Sequence, residues 1–155
     1  MKKLTGTITL LLATTLLLCG QTNGGITTMA DDRAAIIEVI ESEQKYFSQR
    51  DFDKYATTFV HTDNVYWGDG ITYTKYSWQA LAHHMQTYMA NNPEPVEPQE
   101  YFNYDIKIVG NKAWALFNKR DKGETETLTN EHRILVKEDG KWKIKTLIFF
   151  TLHGQ

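Results

Sequence analysis

Thr127 to Thr151 reads TLTNEHRILVKEDGKWKIKTLIFFT, and the fold turns on how this stretch pairs with itself. Two runs rich in β-branched and aromatic residues flank Asp139-Gly140, which is the pattern of a β-hairpin. With the two-residue period of a strand, Trp142, Ile144, Ile148 and Phe150 share one face. Lys143 and Lys145 share the other until Leu147 and Phe149 replace them, so the strand starts half exposed and ends covered on both sides.

Two registers are open. A three-residue loop, Glu138-Asp139-Gly140, sets Val136 opposite Trp142 and Ile134 opposite Ile144, and brings His132 onto the Trp142 face. A two-residue Asp139-Gly140 turn puts Leu135, Arg133 and Glu131 on that face instead, because a slip of one residue reverses every side chain. The three-residue loop is preferred here, since it leaves Lys137, Lys141, Lys143 and Lys145 in water.

Outward from the hairpin, the amino-terminal end carries Lys2 and Lys3 before a leucine-rich run to Leu18, the charged-then-apolar pattern of a secretory signal. Residues 1–20 are therefore read as a signal peptide, 21–30 as a Gly- and Thr-rich tether, and 31–155 as one domain. Cys19, the only cysteine, stands where a lipoprotein carries its acylated residue, although Leu18 before it is larger than usual. Lipidation at Cys19, which would anchor the chain to a membrane, and plain cleavage after Gly20 both stay open. Either route implies export to a bacterial cell envelope or beyond, and a lone cysteine forms no internal disulfide. With 17 Lys and Arg against 19 Asp and Glu, the chain lacks the basic excess of a nucleic-acid binder.

Asp31-Asp32 opens a first helix whose stripe is Ile36, Ile40 and Phe47, with Glu43 at its centre. A carboxylate in that place is either at the edge of a rotated stripe or a pocket group. Asp51 caps a short second helix, Phe52 to Val60, and a third runs from Ser77 to about Asn91 with Trp78, Leu81 and Met85 on its buried side. His83-His84 lie on that helix at a spacing that does not chelate a metal; no metal or cofactor is expected. Pro93, Pro95 and Pro98 hold an extended link, and only strands follow it, turning at Gly110-Asn111 and Lys122-Gly123-Glu124. The expected class is α+β, with three helices on one face of a curved, mostly antiparallel sheet.

From Asp31 to Thr151 the chain resembles the nuclear transport factor 2-like superfamily, and more closely its SnoaL-like branch. The resemblance rests on the aromatic before Arg50-Asp51-Phe52-Asp53, on Phe59-x-x-x-Asp63-x-Val65-x-Trp67, on Gly110-Asn111-Lys112-Ala113-Trp114 and on Asp139-Gly140-Lys141-Trp142-Lys143-Ile144. It implies a cone in which a bent sheet wraps the helices around a cavity, often with dimerisation through the sheet. It leaves function open, because one superfold hosts isomerases, cyclases, dehydratases and binding modules. Isomerase-like members need a carboxylate just after the Asp63-x-Val65 stretch and an acidic donor on the penultimate strand; Trp67-Gly68 and His132 stand there instead. Glu43 replaces their first-helix tyrosine, and Asp69 would have to act as base from a turn.

The expected cavity is lined by Phe47, Phe59, Trp67, Trp78, His84, Phe117 and His132, with Glu43 at its polar end, and suits a small, partly apolar ligand. Two alternatives remain: a small enzyme using Glu43 and His132 as an acid/base pair, and a homodimeric interaction domain with a filled core. The homodimer is expected to form on the open face of the sheet, where Leu147 and Phe149 displace the lysines.

Overall fold

The computed structural model describes residues 28–152. The predicted signal peptide, Cys19 and most of the tether lie outside the described residues. Helix α1 (Met29–Ser48) begins two residues before Asp31, because Thr28 and Asp31 form a capping box. The Thr28 hydroxyl accepts from the Asp31 amide at 3.2 Å, and the Asp31 carboxylate accepts from the Thr28 amide at 2.9 Å. The first helix therefore starts at Met29, ahead of the Asp31 opening expected.

Asp51 caps α2 (Phe52–Thr57), shorter than expected, and Ser77 caps α3 (Trp78–Asn91). Between them lies the small hairpin β1 (Val65–Asp69) and β2 (Tyr73–Tyr76). The remaining strands, β3 (Glu100–Val109), β4 (Lys112–Arg120), β5 (Thr129–Glu138) and β6 (Lys141–Thr151), form an antiparallel meander. The sheet has six strands in the order β2-β1-β6-β5-β4-β3, and β1 runs parallel to β6. Ile36 and Ile40 from α1, Tyr55 from α2, Leu81 from α3 and Leu135 and Ile144 from the sheet are all buried in one core. This is the α+β arrangement expected, with the helices on one face of a curved sheet.

The hairpin register differs from the preferred one. Glu138 pairs with Lys141 and Lys137 with Trp142, so Asp139-Gly140 is a two-residue turn with positive φ at both positions, 50° and 78°. That turn matches the right-handed twist of its strands, which a three-residue loop was not needed to achieve. Lys137, which the longer loop would have kept in water, instead reaches the Asp32 carboxylate at 2.6 Å, beside the Trp142 indole that donates to the same oxygen at 2.9 Å. The inward row of β5 is accordingly Thr129, Glu131, Arg133 and Leu135, all buried, and His132 faces outward.

A second departure follows in β6. Leu135 pairs with Ile144 but Ile134 pairs with Thr146, so Lys145 is an extra residue and the strand bulges there. Alternation reverses across the bulge. Trp142 and Ile144 point inward before it, and Leu147 and Phe149 point inward after it, so Ile148 and Phe150 do not share the Trp142 face. On the outer face the Phe150 ring lies over Gly70, where a Cβ would fall 1.9 Å from it, and packs 4.9 Å from the His132 ring.

Candidate functional site

The bulge opens one end of the interior. Between α1, α3 and the sheet lies a cavity of about 280 Å³, walled by Phe47, Tyr55, Met85 and Tyr88 from the helices and by Trp67, Leu147 and Phe149 from the strands. Its polar end combines Glu43 and Gln44 from α1 with Lys119 from β4 and Glu131 and Arg133 from β5.

Those charges are bound to one another unevenly. Arg133 Nη1 donates to Glu131 Oε2 at 2.9 Å and to the His132 carbonyl at 3.1 Å. Glu131 Oε1 accepts from the Thr129 hydroxyl at 2.6 Å and lies 3.3 Å from Lys119 Nζ. Glu43, only 5 % exposed, has its Oε2 3.5 Å from Arg133 Nη2, an ion-pair contact without hydrogen-bond geometry. Glu43 Oε2 and Arg133 Nε are the buried side-chain polar atoms left without a hydrogen-bond partner among the described residues. Orphans of that kind are rare in folded proteins, and both belong to residues that line the cavity.

The electrostatics follow from these contacts. Burial pushes the Glu43 carboxyl above the usual carboxylate range, and Arg133 only partly offsets it. Burial acts on Glu131 in the same sense, but Arg133 and Lys119 outweigh it and hold its carboxyl low. Burial alone would weaken the Arg133 cation, yet Glu131 and Glu43 hold it firmly protonated. The Tyr55 and Tyr101 phenols are kept neutral by burial and by nearby Glu43, and Tyr101 donates to Gln44 Oε1 at 3.2 Å. The site thus offers a fixed cation, neutral phenols and one carboxyl that holds its proton more tightly than an exposed one.

Glu43, Phe47, Trp67 and His84 border the cavity, with the His84 ring 5.8 Å from that of Trp67. The other residues assigned to it from sequence lie elsewhere. Phe59 is fully buried between Tyr55 and Trp78, and Trp78 stacks on His61 at 4.3 Å. Phe117 lies under the Arg133 guanidinium, 5.3 Å away, and does not reach the space. His132 lies on the outer face, so the Glu43 and His132 pair does not form and the acid/base proposal built on it falls. Leu147 and Phe149 are cavity walls rather than an open dimer face. Asp69 is occupied as a turn cap, its Oδ1 accepting from the Thr72 amide at 2.6 Å, the Thr72 hydroxyl at 3.0 Å and the Ile71 amide at 3.1 Å. Arg133, Glu131, Lys119 and Tyr101 were missed as site residues. The signal for the first two was the alternative hairpin register.

Neither a protein-family model nor a curated protein matches the sequence significantly. Solved structures do match in fold. A nuclear transport factor 2-like protein of unknown function from Shewanella baltica is 21% identical, with a TM-score of 0.60, over 83% of this chain and 99% of that one. A protein from Streptomyces avermitilis, proposed to be a dehydratase of the nuclear transport factor 2-like family, is 11% identical, with a TM-score of 0.64, over 82% and 100%. Another such protein of unknown function, from Silicibacter pomeroyi, is 12% identical, with a TM-score of 0.60, over 81% and 100%.

Proposed function

We propose that this chain, whose architecture is the nuclear transport factor 2-like fold, is an exported binding module that holds a small, partly apolar molecule in the cavity above Glu43 and Arg133. The observation that carries this is the pair of buried, unsatisfied polar atoms on Glu43 and Arg133 at the end of an aromatic-walled space. A buried polar group without a partner costs free energy that a ligand's own polar group would recover. The carboxylate that isomerase-like relatives would need is replaced by Trp67-Gly68, and Asp69 is engaged in its turn, which favours binding over proton transfer. Mass spectrometry of small molecules extracted from the purified protein tests the reading. A copurifying compound is expected in the wild type and should be depleted at least tenfold in Leu147→Trp, which fills the cavity. Equal recovery from both would refute it.

Export rests on the Met1 to Leu18 pattern, and membrane attachment on Cys19. Homodimerisation is proposed through the outer face of the sheet, on different residues from those first expected. Trp114, Leu116 and Phe150 are there 42%, 44% and 38% exposed, large apolar side chains on β4 and β6 with β5 between them. Leu116→Lys should convert a dimer into a folded monomer in sedimentation experiments. A wild type that is monomeric at micromolar concentration would rule the dimer out.

A further inference from the structure

Apart from the Glu43 carboxyl, the polar end of the cavity has its carboxylate oxygens engaged and has donors to spare. Both oxygens of Glu131 are engaged, one by Thr129 and Lys119 and the other by Arg133. Arg133 keeps an Nε without an acceptor, and Nη2 has only the long 3.5 Å contact with Glu43. Resting on the cavity reading above, we propose that the ligand is a small monocarboxylic acid with an aromatic or branched hydrocarbon body, its carboxylate seated against Arg133 and Glu43.

The charge balance selects this class. Arg133 and Lys119 bring two positive charges and Glu131 one negative charge, so the sign of the site depends on Glu43. Glu43 is buried with its Oε2 lacking a hydrogen bond, a setting that disfavours the ionised form and that the 3.5 Å contact with Arg133 only partly offsets. With Glu43 protonated the cluster carries one net positive charge and presents two donors, the guanidinium and the carboxylic O–H, side by side. A ligand carboxylate satisfies both at once, one oxygen for each, in short charge-assisted hydrogen bonds. A primary amine would instead meet Arg133 and Lys119 at close range. A carboxamide would pair with the O–H and the carbonyl oxygen of neutral Glu43, but its uncharged oxygen is a weaker acceptor for the Arg133 guanidinium than a carboxylate. The body of the acid lies between Trp67, Leu147 and Phe149, in a volume near the lower end of the ~300–1,000 Å³ range of small-molecule sites.

Isothermal titration of the purified protein at pH 6 with four matched probes tests the assignment: 3-phenylpropanoate, 3-phenylpropanamide, 3-phenylpropan-1-ol and 3-phenylpropylamine. The acid should bind at least tenfold more tightly than the other three. Equal or tighter binding of the amide, alcohol or amine would overturn the carboxylate assignment and leave the cavity reading standing; binding by none of the four would overturn both. Arg133→Lys keeps a cation in place but loses the planar fork. In that variant, with folding checked by its thermal transition, the preference for acid over amide should shrink to threefold or less. An undiminished preference would show that Arg133 does not hold the carboxylate.

Discussion

Arg133→Met should destabilise the domain by about 3–5 kcal/mol at neutral pH, the cost typical of removing one member of a buried ion pair. The loss comes from what stays behind. Glu131, 2% exposed, keeps only Lys119 and Thr129, and Glu43 loses its ion-pair partner. The wild-type carboxyls have opposite pH signatures. Glu131 has a depressed folded-state pKa, so its stabilisation is present above the unfolded value and is lost as pH falls through the folded one. Glu43 has a raised folded-state pKa, so its ionisation costs stability as pH rises from the unfolded value through the folded one. Without Arg133 both carboxyls should titrate higher, and the defect should be milder at pH 5 than at pH 7. Urea unfolding at the two pH values measures this. A loss below about 1 kcal/mol at pH 7 would mean that the cluster is not held as described.

Trp142→Ala should cost about 3–5 kcal/mol, and Trp67→Ala distinctly less. Trp142 is 3% exposed among core residues, and its indole N–H is tied to Asp32, so truncation removes packing and a hydrogen bond that joins the hairpin to α1. Trp67 is half-buried and borders open space, which gives it fewer packed atoms to lose. Thermal or urea unfolding of both variants decides the point. Equal losses would indicate a filled interior in place of a cavity.

The order of helices and strands was legible because each stop carries local chemistry: Asp51, Ser77, the prolines, Gly110 and Asp139-Gly140 act within a few residues of themselves. The central place of Glu43 in the α1 stripe was legible for the same reason. Its partner was not. Choosing between His132 and Arg133 means choosing a register, and keeping Lys137, Lys141, Lys143 and Lys145 in water selects the one that turns His132 inward. Lys137 is neutralised by Asp32, which stands 105 residues earlier in the chain, so the deciding fact was tertiary. The bulge at Lys145 had no glycine or proline to mark it, and strict alternation beyond it misplaced Leu147, Phe149, Ile148 and Phe150 together.

Lys145 acts by being present, not by what its side chain touches. Up to Ile144, β6 keeps one parity, and past the bulge it keeps the other; the extra residue is what turns Leu147 and Phe149 toward α1 and leaves Thr146, Ile148 and Phe150 for the outer face. The wall of the cavity is therefore encoded by chain length within one strand as much as by residue identity. Two chains matching letter for letter after Thr146 but differing by one residue before it would line their interiors with opposite halves of the same segment. Inside this fold, an insertion or deletion of a single residue exchanges the cavity-facing and outward-facing surfaces in one step, a change no single substitution can make.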